Sequence, residues 1–84
     1  MSRMPGDNPE RQAFTEELRS LLEWAIDTLP AGMREAYVLR DVEGLSTLEA
    51  AKALGVSEDA VKTRLSRGRA ALREVLLERT AMPS

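Results

Sequence analysis

Two serines with a glycine between them constrain this chain more than any other feature. Ser46 and Ser57 each stand just ahead of a stretch with helical apolar spacing, and Gly55 separates the stretches in LSTLEAAKALGVSEDAVKTRL. Ser46-Thr47-Leu48-Glu49 reads as a capping box, in which serine and glutamate satisfy each other's backbone amides. It opens a short helix through Leu54. Gly55 leaves that helix, Val56 follows, and Ser57 caps the next one, with Glu58 and Asp59 in the first turn where acids suit the helix dipole. A stop and a new start this close together cannot belong to one rod. The spacing predicts two helices joined by a three-residue turn, the helix-turn-helix unit. Its packing needs are met: small Ala51 at the close approach, Val56 to plug the turn, and Val61 and Leu65 to face back onto the first helix.

The rest of the chain reads as helix too. Phe14, Leu18, Leu21, Leu22, Ala25, Ile26 and Leu29 recur with helical spacing after Asn8-Pro9, a cap and first position, and Pro30 ends the run. This stripe is expected either to pack into the core or to form a groove shared with a partner helix. Trp24 on its fringe and Tyr37 are expected as half-buried packing residues. A second helix follows Pro30, carries Met33, Ala36, Tyr37, Leu39 and Val42, and ends at Gly44. The last helix can run to about residue 80, before Met82-Pro83. The expectation is an all-α, four-helix domain over residues 9–80 with a C-terminal helix-turn-helix and a long recognition helix. Residues 1–8 read as a linker or disordered N-terminus, and 81–84 as a frayed C-terminus.

Composition narrows the chemistry. Eighty-four residues make one small domain without room for a large substrate cavity. Cysteine and histidine are both absent, which removes thiolate sites, the commonest metal ligand and the usual general base. No nucleophile–base pair stands out, so neither an enzyme nor a small-molecule substrate, cofactor or metal is expected. No apolar run reaches the roughly 18–20 residues of a membrane span, and MSRMPGDNPERQ has no secretory h-region. The chain reads as cytoplasmic, with no membrane partner.

Charge carries the functional signal. Residues 1–50 hold ten acids against five bases, whereas residues 60–73 hold five bases and no acid. On a helical wheel Val61, Leu65, Gly68, Leu72, Val75 and Leu76 lie within about 60° of one line, the buried face. Asp59, Thr63, Ser66, Arg67 and Ala70 fall opposite. Lys62 and Arg73 occupy one shoulder, Arg64 the other, and Arg69 borders the buried face. Short polar groups at the centre of an exposed face, with cations beside them, suit a helix that reads base edges in the major groove while its flanks meet phosphates. The bland alternative is a solvated face, with Arg73 and Arg79 pairing with Glu74 or Glu78. Gly68, on the buried side, is expected where helices approach closely.

The segment LPAGMREAYVLRDVEGLSTLEAAKALGVSEDAVKTRLSRGRAALREVL resembles region 4 of bacterial RNA polymerase sigma factors, in the extracytoplasmic-function group of the sigma-70 family. Leu29-Pro30, Arg34, Leu39-Arg40, Glu43-Gly44-Leu45-Ser46, Glu49-Ala50-Ala51, Ala53-Leu54-Gly55 and the run from Val61 to Arg69 carry the likeness, which covers roughly residues 12–78. The resemblance implies binding of double-stranded promoter DNA at the −35 element in support of transcription initiation. It further implies contact with the β flap of the RNA polymerase core and, in many family members, with an anti-sigma factor. By position it assigns Lys62, Thr63, Ser66 and Arg67 to bases and adjacent backbone. Arg64 and Arg69 match basic positions that meet phosphate or form intramolecular ion pairs. Ala50, Leu48 and the acids Glu58 and Asp59 depart from the family pattern; one acid could accept from a cytosine amino group. Two other readings share the fold: a protein-interaction module for the flap or an anti-sigma factor, and a response-regulator-type effector domain, against which Leu29-Pro30 and VKTRLSRGRAAL weigh.

Overall fold

The computed structural model describes residues 9–80; the readings made for residues 1–8 and 81–84 lie outside it. Four α-helices and one π-helical turn make up these residues: α1 (Pro9–Asp27), α2 (Ala31–Tyr37), the π-turn (Val38–Val42), α3 (Thr47–Leu54) and α4 (Glu58–Thr80). No strand occurs among the described residues, and the all-α expectation holds.

The local signals act as the residue types require. Ser46 Oγ accepts from the Glu49 amide at 3.0 Å while Glu49 Oε1 accepts from the Ser46 amide at 2.8 Å, closing the capping box. Gly55 sits at φ +69°, in the left-handed region that residues bearing a β-carbon rarely adopt. The Val56 amide then donates to the Ala51 carbonyl and the Gly55 amide to that of Lys52, so two otherwise orphaned carbonyls are satisfied. Ser57 Oγ accepts from the Ala60 amide at 3.1 Å and starts α4. Thus α3 and α4 are separate helices across a turn.

The second helix differs from its expected form. It is α-helical for only seven residues and then widens into the π-turn, where the Glu43 amide reaches the Val38 carbonyl at 2.8 Å. The extra residue rotates everything after it on the helix surface. Tyr37 and Leu39 stay half-buried, whereas Val42 is exposed. Apolar spacing alone did not distinguish this turn from a plain α-helix.

Two small cores form at different points along α4, one around Leu72 and one around Val61. Ala25 and Leu29 of α1 pack with Leu72 of α4, flanked by Ile26, Tyr37, Val75 and Leu76. Ala50 and Ala51 of α3 pack with Val61 of α4, flanked by Leu39 and Val56. Between them α2 crosses α4 so closely that a β-carbon on Gly68 would stand 3.2 Å from the Met33 carbonyl oxygen. The close approach expected at Gly68 is therefore there. Only the C-terminal half of the α1 stripe enters a core. Phe14 is 67% exposed and Leu18 45%, so simple core packing accounts for half of that helix and leaves the rest uncovered. Trp24 is nearly half exposed, with the Arg79 guanidinium 5.4 Å from its ring centroid.

Candidate nucleic-acid interface

The outward side of α4 follows from what its inward side must bury. Val61, Leu65, Gly68 and Leu72 are buried, and their spacing turns Lys62, Thr63, Ser66 and Arg67 to solvent. All four are exposed, as is Asp59 on the same side. Ala70 continues the exposed line and Ser57 caps its start, both exposed. The arrangement offers hydroxyl donors and acceptors at its centre and a long cation on either side. Such a surface can hydrogen-bond base edges while neutralising phosphates.

The other two basic positions are placed differently. Arg69 is held in a two-pronged pair: its Nε and one terminal nitrogen donate to the two carboxylate oxygens of Asp41, each at 2.7 Å. These hydrogen bonds draw the Asp41 carboxyl below its ordinary value, against an opposing push from burial, and raise the Arg69 guanidinium. Of the two roles the resemblance left open for Arg69, the structure displays the intramolecular ion pair. Arg64 is half-buried and lies across Gly32, its Cδ, Nε and Cζ 3.7 Å from where a β-carbon on that glycine would stand. It faces the start of α2, away from Thr63 and Ser66.

Residues outside the expected set also reach this side. The π-turn brings Arg40 against α4, where with Thr47, Lys62, Ser66, Arg69 and Arg73 it lines a cleft of about 370 Å³ floored by Val61 and Leu65. Arg40 donates to the Leu45 carbonyl. Arg73 pairs with neither Glu74 nor any other acid among the described residues, and Arg79 stacks on Trp24 instead of pairing with Glu78. The helical ion pairs expected for these two arginines do not form. Asp41 and Arg69 lie 28 residues apart. No periodicity joins them; an unmatched acid beside Arg40 was the only local hint.

A second surface is apolar. Val38, Leu39, Ala53 and Leu54 line a shallow groove edged by Arg34 and Glu35, on α2, the π-turn and α3. Leu48 and Val42 are exposed elsewhere on the π-turn and α3.

Comparison with known proteins places these surfaces in a family context. Residues 19–72 match the family model described as sigma-70, region 4. The ECF RNA polymerase sigma factor SigE of Mycolicibacterium smegmatis is 40% identical over 81 residues, covering 94% of this chain and 32% of its own length. RNA polymerase sigma factor SigZ of Bacillus subtilis is 39% identical over 70 residues, covering 83% of this chain and 40% of its own. The ECF RNA polymerase sigma-E factor of Escherichia coli K12 is 37% identical over 65 residues, covering 77% and 34%. The chain thus spans between about a third and two fifths of the length of these relatives.

Proposed function

The chain belongs to the sigma-70 region 4 family, and on that premise we propose that it binds the −35 element of promoter DNA, with α4 in the major groove, as part of transcription initiation. One observation carries the reading: Thr63 and Ser66 are exposed at the centre of the outward side of α4, flanked by exposed Lys62 and Arg67. Thr63, Ser66 and Arg67 face base edges, and Lys62 meets the adjacent backbone. Arg64 serves at the edge of the contact, and Arg69 acts by bracing α4 against the π-turn. The working unit is residues 9–80. It is a binding module and not an enzyme, and it works in the cytoplasm of a bacterial cell.

Protein partners form a second part of the proposal. The groove between the π-turn and α3, with exposed Val42 and Leu48 nearby, supports docking on the RNA polymerase core through its β flap. An anti-sigma factor would compete for the same molecule.

The test is binding of the 84-residue chain to short duplexes by fluorescence anisotropy at several salt concentrations. Tighter binding to a duplex carrying a −35-type element, selected from a random pool, than to its scrambled counterpart is expected. Equal affinity and equal salt dependence on both would remove sequence reading from the proposal.

A further inference from the structure

The outward side of α4 carries one group that a surface built only to attract a polyanion would not hold. Asp59 is exposed on it, in the first turn of the helix. Thr63, Ser66 and Ala70 follow at helical spacing, all within about 40° of it around the axis. The acid therefore shares a line with the two hydroxyls at the centre of the proposed contact. It forms no ion pair among the described residues, and exposed Lys62, one turn on, does not close on it. Nor does it cap the helix, because the Ala60 amide donates to the Ser57 hydroxyl. Glu58 makes the contrast. It too is an exposed acid in the first turn, where it suits the helix dipole as well as Asp59 does. Yet one residue is about 100° of helical rotation, so Glu58 faces away from the hydroxyl line. The dipole does not account for a carboxylate in the middle of the reading side.

We propose that Asp59 is a specificity-determining residue whose carboxylate accepts a hydrogen bond from the N4 amino group of a cytosine in the major groove. The inference rests on the DNA-binding reading above and deepens it, naming the base that one residue selects. The chemistry leaves few choices. An ionised carboxylate only accepts, so it needs a donor. Guanine offers two acceptors at its major-groove edge, and thymine an acceptor and a methyl group. Adenine has an amino group but sets the N7 acceptor beside it. Cytosine alone presents its amino group with no acceptor alongside. The position suits the contact, since the N-terminal residues of the second helix in a helix-turn-helix are those that reach base edges. Where no cytosine faces it, the carboxylate gives up water without gaining a donor and stands close to phosphates of its own sign. Asp59 thus acts chiefly by rejection, weakening the contact at the wrong base, while Lys62 attracts any sequence alike.

The experiment measures the affinity of the 84-residue chain and of Asp59→Ala, Asp59→Asn and Glu58→Gln for a panel of duplexes. The panel is built on one −35-type duplex selected from a random pool, with each base pair changed in turn to the other three. The unsubstituted chain should favour cytosine at one position by about tenfold. Asp59→Ala should lose that preference and bind the duplexes without the cytosine more tightly than the unsubstituted chain does. Asp59→Asn should move the preference to adenine, whose N6 and N7 an amide can pair with. Glu58→Gln removes the same charge from the same turn and should leave the preference in place. Circular dichroism checks the fold; should Asp59→Ala unfold, the isosteric Asp59→Asn decides. A base profile in the Asp59 variants identical to that of the unsubstituted chain, or the same change of profile in Glu58→Gln, would overturn the assignment. Preferences that survive both Asp59 variants strike this inference alone. A chain with no preference at any position would strike base reading as a whole, and this inference with it.

Discussion

Lys62 and Arg67 share the exposed side of α4, yet their chemistry makes different demands. A planar guanidinium can pair with the two acceptors of a guanine edge, whereas an ammonium is a point charge suited to phosphate. Arg67→Ala should therefore cost about 1–3 kcal/mol on the preferred duplex and little on a scrambled one. Lys62→Ala should weaken both about equally and lower the salt slope by about one. Anisotropy titrations on the two duplexes separate these outcomes, and equal losses for Arg67→Ala on both would assign it to the backbone. Asp59 shares this side without an ion-pair partner among the described residues.

At the scale of elements, the turn between α3 and α4 rests on backbone geometry. A β-carbon on Gly55 would meet no atom within 4 Å, so packing does not require glycine there; its φ of +69° does. Gly55→Ala should destabilise by about 1–2 kcal/mol, and Gly55→Asn by less, since asparagine tolerates the left-handed region. Thermal melts of the two variants check the order. Signals of this local kind were legible in the sequence: Ser46, Glu49, Gly55 and Ser57 act within three to five residues of themselves, and each appears in its expected place. The sides of α4 were legible as well, because burying Val61, Leu65 and Leu72 leaves Thr63 and Ser66 outside. The π-turn was not, since one extra residue shifts the helix surface without altering which residue types are apolar. Nor was the Asp41–Arg69 pair, which depends on how α2 crosses α4 at Gly68. The cleft around Arg40 depends on both features, and so lay beyond a linear reading.

The whole described molecule measures 46 × 42 × 14 Å, thin in one direction. So thin a body cannot enclose a large core, and its two apolar clusters are small. Polar ties between elements then matter more to its cohesion. Asp41, hydrogen-bonded by Arg69, and Glu49, hydrogen-bonded by the Ser46 amide and hydroxyl, both lie below their ordinary values of 3.8 and 4.5. A carboxyl depressed on folding contributes stability that is complete above its unfolded value and vanishes as pH falls through the depressed one. The melting temperature should therefore hold steady from neutral pH down to about 5 and drop below about 4. Asp41→Asn should melt lower at neutral pH and fall less steeply in acid. A variant with the same acid profile as the unsubstituted chain would mean that the pair contributes nothing measurable.

Trp24 is the sole tryptophan of the chain, and a guanidinium from the far end of α4 sits over its ring. Its fluorescence is thus a built-in gauge of whether those two helix ends stay together, at a distance from the residues assigned to DNA. Duplex binding should leave the emission spectrum unchanged, whereas a protein docking along exposed Leu18 and Phe14 should shift it to the blue. One optical trace would then tell which of two visitors has arrived, with no label attached.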